Sequence, residues 1–178
     1  MIDACMRALH RHGWINFRMR AMLISFASYQ LWLHWKRLTE YLARQFIDFE
    51  PGIHYSQIQM QSGVTGVNTI CIYSPEKQLI EQDPEGSFVR KHVPELQALS
   101  MNDLIDPGAM PPLLQMSSGF KLWETYPHPI VDPKLSYVQA GGRIFAWKKQ
   151  IGVREASQQT LTKRGSRAGV HFPKQKRS

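Results

Sequence analysis

Residues 47–63 read IDFEPGIHYSQIQMQSG and place three ionisable side chains, Asp48, Glu50 and His54, in an otherwise apolar stretch. Isoleucine, phenylalanine and methionine favour burial, whereas carboxylates and an imidazole do not. Because burying an unpaired charge is costly, each of these groups needs a partner or a ligand. A cation in a comparable setting is Arg20, which lies in a second apolar segment.

Four helices are predicted for the first sixty residues, and the quoted stretch contains the start of the last one. The capping signals are Asp3 and Asn16 at helix starts, Gly13 at a helix end and Pro51 in a first turn. The predicted bounds are about 3–12, 16–30, 34–46 and from 49 onward.

The second predicted helix is apolar almost all round, so we expect it at the centre of the fold. Arg20 lies inside this helix and Asp48 at the mouth of another apolar one, and a largely buried bidentate ion pair would satisfy both. The third helix is amphipathic, with one apolar stripe formed by Trp35, Leu38, Leu42 and Phe46.

The remaining segments predict short helices and loops. Residues 63–74 are expected to be irregular, 83–93 to form a short helix that stops before Pro94, and 101–108 to form a one-turn element. Six prolines between residues 106 and 133 predict an ordered surface loop. A last helix is predicted over about 134–149 despite Gly141 and Gly142. The predicted fold is therefore all-α, with no sheet of more than two short strands.

Positive charge is concentrated at the carboxyl terminus. The net charge is +8, and residues 154–178 hold seven Lys or Arg against one acid. We divide the chain into a folded part, 1–150, and a basic tail, 151–178, with poor order expected from about Lys163 onward. Such a tail either binds DNA or another polyanion or is simply a solvated terminus, and the charge alone does not decide between these.

Cysteine and hydropathy patterns favour a cytoplasmic location. Cys5 and Cys71 show no metal-ligand spacing, so no metal site is expected and the thiols are expected to be reduced. The apolar run 21–33 has 13 residues and is too short to span a bilayer. The amino terminus lacks the pattern of a secretory signal.

The residues after Asp48 also suggest a ligand pocket. Glu50 at the start of the fourth helix, with His54 a turn later, adjoins the mixed polar and apolar side chains of Gln57, Ile58 and Met60. This wall suits a flat heteroaromatic ligand with hydrogen-bonding edges. The alternative is a core histidine satisfied by its neighbours, and Glu50 could serve only the helix dipole.

Five separated segments resemble one known family in their order. DACMRALHRHGWINFRMR, HW, IDFEPGIHY, DPEGSFVRKHVPEL and YPHPIVD are similar to the carboxy-terminal part of the FAD-binding domain of DNA photolyases and cryptochromes. The resemblance covers about residues 3–135. It implies a helical domain around FAD that uses blue light for electron transfer, either to a DNA lesion in repair or in signalling.

The resemblance assigns roles to individual residues. It places Arg20, Asp48, Phe49, Glu50 and His54 against the cofactor, with His54 facing flavin N5 and Glu50 where an Asp is usual. It gives His54 and Trp35 catalytic roles, Trp35 matching the middle tryptophan of the electron chain. The residues that it places on the DNA or lesion side are Asn16, Phe17 and Met60.

The sequence departs from the family at several of these positions. Phe17 stands where photolyases usually have Asn, and Ala21 where dimer photolyases have Met. Ile58 and Met60 replace two tryptophans, one of them the member of the electron chain next to the flavin. The usual route of photoreduction is therefore interrupted.

The matched region begins midway through the family's FAD domain. The antenna domain and the phosphate-binding first half of the FAD domain precede it, so we expect that missing half as a structural partner. Tight FAD binding and photolyase-like activity are not expected of these 178 residues alone. The alternatives are a flavin-free module that binds nucleic acid through its tail, and an interaction domain without a ligand. Repair versus signalling, the lesion type and the oligomeric state stay open.

Overall fold

The computed structural model describes residues 1–65 and 70–164, which form a helical domain. Within these residues no β-strand forms, and Leu122 and Tyr126 make an isolated β-bridge. The predicted all-α class is confirmed. The helices are α1 (Ile2–His12), α2 (Phe17–Ser25), α3 (Trp35–Ala43), α4 (Pro51–Gln61), α5 (Pro75–Gln82), α6 (Ser87–His92), α7 (Met101–Ile105), α8 (Pro112–Ser118), α9 (Pro133–Lys148) and α10 (Ile151–Arg164).

Helix α1 ends where the sequence predicts but begins one residue earlier. Gly13 adopts a left-handed conformation (φ 68°) and donates its N–H to the Leu9 carbonyl at 2.7 Å. A Cβ at this glycine would also clash with Ile47. Met1 occupies the N-cap position, so the prediction that Asp3 caps the helix is wrong. Asp3 lies inside the first turn and pairs with Arg7 at 3.0 Å.

Helix α2 is central, as predicted, and residues 21–25 are all buried. The Asn16 side chain caps it by accepting from the Met19 N–H at 3.0 Å. The helix continues as a π-helical turn, Phe26–Gln30. Leu31 N–H bonds to the Phe26 carbonyl five residues back, the spacing that defines a π-turn.

Two polar side chains inside this central helix, Ser25 and Gln30, are satisfied by later parts of the chain. The Ser25 hydroxyl donates to the Cys71 carbonyl at 3.3 Å and accepts from the Tyr73 N–H at 2.9 Å. The Gln30 side chain bonds to the Tyr73 carbonyl at 3.2 Å and accepts from Ser136 of α9 at 3.1 Å. These bonds hold residues 70–74, which have no regular secondary structure, in agreement with the prediction.

The core consists of two clusters that meet at α1. One cluster is built on α2, α3 and α4, and the other on α5, α6, α7 and the residues that follow them. Helix α1 gives Cys5, Ala8 and Leu9 to the first cluster and Ala4 to the second. Of the predicted stripe on α3, Leu42 and Phe46 are buried in the first cluster, and Trp35 and Leu38 pack against it.

Two helices between residues 75 and 118 were missing from the sequence prediction. Helix α5 begins at Pro75 and is capped by the Ser74 hydroxyl, which accepts from the Lys77 N–H at 3.2 Å. Helix α8 begins at Pro112, inside the stretch predicted to be a loop throughout. In both helices the proline occupies the first turn, where a missing N–H is tolerated. These prolines start helices rather than exclude them.

The carboxy-terminal part is helical beyond the predicted boundary. Helix α9 forms close to its predicted bounds and is capped by Asp132, whose side chain accepts from the Leu135 N–H at 2.7 Å. Helix α10 occupies the first part of the predicted basic tail. Most of the tail's basic residues, and the segment expected to be poorly ordered beyond residue 164, lie outside the described residues.

None of the helices in the described part of the chain has the length and apolar character needed to cross a membrane.

Arg20 and Asp48 pair as predicted and tie α2 to the segment before α4, but through one guanidinium nitrogen rather than the two of a bidentate pair. Arg20 Nη2 lies 3.0 Å and 2.8 Å from the two Asp48 oxygens. The side chains are 24% and 44% exposed, so the prediction that the pair is largely buried is wrong. The pair lies at a surface because Asp48 is in the exposed connection between α3 and α4.

The exposure of this pair reduces its expected contribution to stability. We predict that Asp48→Asn lowers the free energy of unfolding by about 1 kcal/mol or less, since a solvent-exposed pair is screened by water. Urea denaturation would measure this, with Asp106→Asn as a control because no salt bridge to Asp106 is present among the described residues. A loss of 3 kcal/mol, about that of a broken buried pair, would contradict the prediction.

Asp83 has the larger expected effect, because it is buried and organises α6. Its two carboxylate oxygens accept from the N–H groups of Phe88 at 3.1 Å and Val89 at 3.0 Å. Gly86 starts this helix with a left-handed conformation (φ 67°), and a Cβ there would clash with Leu104.

We predict that Asp83→Ala lowers the free energy of unfolding by about 2 to 3 kcal/mol, since one buried and one partly buried amide lose a charged acceptor. The matched control is Asp132→Ala at the exposed cap of α9, where a loss of about 1 kcal/mol is expected. Equal losses for the two variants in urea titrations would show that burial of Asp83 adds nothing.

Candidate functional site

A cavity of about 290 Å³ lies between α2, α3 and α4. Its floor is apolar and comes from the first core cluster, while its rim carries the ionisable residues of the 47–63 stretch. The apolar lining residues include Ile15, Ala21, Ile24, Leu42, Phe46 and Ile58.

Arg20 is held at the rim by three kinds of contact. Its Nε donates to the Ile15 carbonyl at 2.9 Å, and its Nη2 makes the pair with Asp48. The guanidinium carbon lies 4.0 Å from the centroid of the Phe46 ring. The cation–π contact and the separate bonds of Nε and Nη2 together fix the orientation of the guanidinium plane.

Glu50 serves as the N-cap of α4. Its two carboxylate oxygens accept from the N–H groups of Gly52 at 3.1 Å and Ile53 at 2.6 Å. Carboxylates at this position satisfy free amides and interact favourably with the helix dipole. The charge of Glu50 therefore has a structural partner and still lies in the cavity rim.

His54 is fixed by a hydrogen bond to α3. Its Nε2 lies 3.0 Å from the Thr39 carbonyl oxygen, which can only accept, so Nε2 carries the hydrogen. In the neutral imidazole Nδ1 then carries no hydrogen and can accept a hydrogen bond. The rings of Phe46, Phe49 and Tyr55 approach it at steep angles, with centroids 5.1 to 6.0 Å away.

The cavity face of α4 follows helical spacing from His54. Gln57, Ile58 and Gln61, three, four and seven residues further on, all line the cavity. Met60 does not, so the expected place of Met60 in this wall is wrong. A position six residues after His54 falls on a different face, because an α-helix turns about 100° per residue.

Gln57 differs from the other polar residues of the wall. Its Oε1 is buried and has no hydrogen-bond partner among the described residues. The atom has almost no accessible surface, so neither water nor a ligand in the cavity reaches it in this structure. Gln57 and His54 both line the cavity through other parts of their side chains or backbone.

Of the other predicted site residues, some line the cavity and some do not. Phe17 and Phe49 line the cavity and are 58% and 39% exposed. Asn16 is used as the cap of α2 and is absent from the lining. Trp35 also lies outside the lining, next to His34 and Lys36 at the start of α3.

Sequence reasoning missed several lining residues, among them Gln61, Trp14 and Ile53. Gln61 was detectable, because it lies two turns after His54 on the same helical face. Trp14 precedes α2 in a connection without periodicity, so no sequence pattern pointed to it. Ile53 is 64% exposed and reads as an ordinary apolar residue of a helix.

Comparison with known families matches residues 1–144 to the FAD binding domain of DNA photolyase. The chain is 31% identical over 134 residues to the deoxyribodipyrimidine photo-lyase of Alkalihalophilus pseudofirmus, a match that covers 74% of this chain and 28% of that protein. It is 29% identical over 133 residues to the cryptochrome DASH of Gloeobacter violaceus, covering 74% and 27%.

Solved structures have the same fold. A bacterial class III photolyase from Agrobacterium tumefaciens matches with a TM-score of 0.73 at 28% identity, over 83% of this chain and 31% of that one. A cryptochrome from Synechocystis matches with a TM-score of 0.74 at 25% identity, over 79% and 29%.

These matches confirm the resemblance seen in the sequence, and they support FAD as the cofactor of this fold. The chain spans less than a third of the length of the relatives cited. It covers part of the helical cofactor domain found in both photolyases and cryptochromes. The chain therefore belongs to the DNA photolyase and cryptochrome family, within its FAD-binding domain.

Proposed function

We propose that the cavity between α2, α3 and α4 holds the isoalloxazine ring of FAD in a photolyase or cryptochrome-type protein. The observation that carries the proposal is the convergence of Arg20, Asp48, Glu50 and His54 on one apolar cavity. Bound FAD would supply light absorption and one-electron chemistry. The residues of this chain would bind and orient the ring and keep water from one of its sides.

The shape and polarity of the cavity fit a ring rather than a whole dinucleotide. A volume of about 290 Å³ lies at the lower end of the range for small-molecule pockets. The apolar floor supports stacking of a flat heterocycle, and the polar rim residues suit its hydrogen-bonding edges.

The diphosphate of FAD does not fit this cavity. Among the lining residues Arg20 is the one cation, and Asp48 already pairs with it, while Glu50 adds a further negative charge. A phosphate placed here would be repelled. We propose that polypeptide outside these 178 residues supplies the phosphate contacts and the other side of the clasp.

His54 would act on a proton at Nδ1. Because Nε2 donates to the Thr39 carbonyl, a neutral His54 offers Nδ1 as an acceptor to a ring N–H. Donation of a proton from Nδ1 requires the imidazolium form. The proposal that His54 is catalytic therefore depends on proton transfer at Nδ1. The position of His54 in the cavity wall supports this role.

The proposed electron route through tryptophans has weaker support than the proposed ring site. Ile58 is fully buried at the position where the family has the inner tryptophan, and Trp35 lies outside the cavity lining. An aliphatic side chain at Ile58 offers no aromatic relay. We propose that Trp35, if it donates electrons in the complete protein, does so by a route that does not include residue 58.

DNA is the substrate class that we propose for the complete protein, with a light-signalling role as the second candidate. Relatives of both kinds match, named deoxyribodipyrimidine photo-lyase and cryptochrome. Of the proposed lesion-side residues, Phe17 lies at the cavity rim, whereas Asn16 and Met60 do not line the cavity. The lesion-side proposal therefore rests chiefly on Phe17.

The ring-site proposal predicts the relative affinities of two flavins for the full chain. Lumiflavin, which has the ring but no phosphate, should bind at least as tightly as FAD at low ionic strength, because the rim repels phosphate. Quenching of flavin fluorescence would measure both. Binding of FAD tenfold tighter than lumiflavin would show a phosphate site within the chain and contradict this assignment.

A matched pair of variants locates the binding. Ile53→Glu places a charge in the cavity rim and should weaken lumiflavin binding, whereas Ile80→Glu alters an exposed isoleucine on α5 and should not. Loss of binding in both variants would point to a site elsewhere or to misfolding. Far-ultraviolet circular dichroism would separate these two causes.

DNA contact through the basic tail is a separate prediction. Replacing Arg167, Lys174, Lys176 and Arg177 with Gln removes four positive charges. If all four release counterions on binding, the slope of log affinity against log salt should flatten by about 3 to 4. Fluorescence anisotropy with a short duplex at several salt concentrations would measure the slope. An unchanged slope would assign the tail to simple solvation.

A further inference from the structure

The connection between the π-helical turn and α3 carries an exposed tryptophan, Trp32, in an unusual backbone conformation. Its φ is 55°, and the residue is 47% exposed. The Leu33 N–H donates to the Ala27 carbonyl at 2.9 Å and so closes the end of the π-turn around Trp32. A left-handed residue at a helix end is usually glycine, because a side chain there crowds the backbone. An exposed tryptophan held in this conformation is a candidate for a functional role.

Arg143 of α9 covers this tryptophan. Its guanidinium carbon lies 5.1 Å from the centroid of the Trp32 ring. Helix α9 reaches this place because its Ser136 is buried against the π-turn, where it donates to the Gln30 side chain at 3.1 Å. Arg143 lies two turns after Ser136 on the same helical face, and Trp147, 51% exposed, follows one turn later. This face of α9 therefore presents a cation and a second indole where it meets Trp32.

Positive charge accompanies these indoles. Residues 32–37 and 133–149 contain six Lys or Arg and no acid. No salt bridge to Lys36, Arg37 or Arg143 is present in the described part of the chain. The helix dipole does not explain these cations, since two of them lie in the first turn of α3, where positive charge is unfavourable, and the third lies within α9. Their charges are available to an anionic ligand.

We propose that the indoles and cations around Trp32 form a binding surface for single-stranded nucleic acid. This surface, called the Trp32 surface, consists of Trp32, Lys36, Arg37, Arg143 and Trp147. Unpaired bases would stack on the indoles, and the cations would neutralise phosphates. A duplex fits less well, because its bases already stack on one another. None of these residues lines the cavity between α2, α3 and α4, so the inference is independent of the flavin site.

Two probes of equal charge test the inference with the full chain. One is a fluorescein-labelled oligothymidylate of about 16 nucleotides, and the other is an abasic strand of the same length. Contacts to phosphate, including any made by the basic tail, treat the two alike. The wild type should bind oligothymidylate at least about fivefold more tightly, since the abasic strand has no bases to stack. Equal affinities, or no binding of either strand, would overturn the inference.

Oligouridylate of the same length identifies the nucleic acid. Tighter binding than that of oligothymidylate would assign the surface to RNA, and weaker binding would assign it to DNA. Both results retain the stacking surface.

A matched pair of variants locates the stacking. Trp32→Gly should abolish the preference for bases, and glycine suits the left-handed backbone, so the melting temperature should not fall. The control is Trp123→Gly. Trp123 is also left-handed, with φ 75°, and is 79% exposed, but no cation–π contact to it is present among the described residues. It should keep the preference. A preference retained by Trp32→Gly, or lost equally in both variants, would contradict the Trp32 surface.

The cations give a second readout that does not depend on Trp32. Replacing the three cations of the surface with Gln should flatten the slope of log affinity against log salt by about 2 for oligothymidylate, because each phosphate contact on a single strand contributes about 0.7. The control removes the same charge elsewhere by replacing Lys77, Lys91 and Lys121 with Gln. It should change the slope by much less. Equal flattening in the two triple variants would show that binding is not localised at this surface and would overturn the inference.

Discussion

The burial of α2 and its π-helical extension is the constraint on which the rest of the structure depends. A helix surrounded by other elements cannot leave its polar groups to water. Ser25 and Gln30 therefore recruit residues 71–73 and Ser136, and Arg20 recruits Asp48. Each of these bonds joins the central helix to a part of the chain at least 28 residues away in sequence. The irregular segments and α9 take their positions from this central helix.

The cavity follows from the same arrangement. Asp48 is drawn to Arg20, so α4 starts beside α2, and the Glu50 cap sets its first turn. His54 then reaches back to Thr39 of α3, which leaves an apolar space between the three helices. Its surroundings suit an uncharged heterocycle and repel phosphate, as expected of one wall of a larger site. A site that contacts only part of a ligand agrees with a chain that spans less than a third of the length of these relatives.

Local signals in the sequence predicted most of the helices, because caps and periodicity depend on few residues. Asn16, Gly13 and Pro51 mark helix ends correctly, and the charges of Arg20 and Asp48 predicted their pairing. The prediction that this pair is largely buried was wrong, because its exposure depends on which elements cover the connection between α3 and α4. The place of Met60 was wrong because an apolar residue near a site was taken to face it. The orphaned oxygen of Gln57 follows from tertiary packing, which no sequence pattern contains.

The sharing of α1 between the two core clusters has a consequence for how the domain loses its structure. Ala4 packs in one cluster, and Cys5, Ala8 and Leu9 pack in the other, along neighbouring parts of one buried helix face. Melting either cluster would remove contacts from α1 and so weaken the other cluster. The two halves are therefore expected to unfold in one cooperative step, with the amides of α1 among the slowest to exchange with solvent.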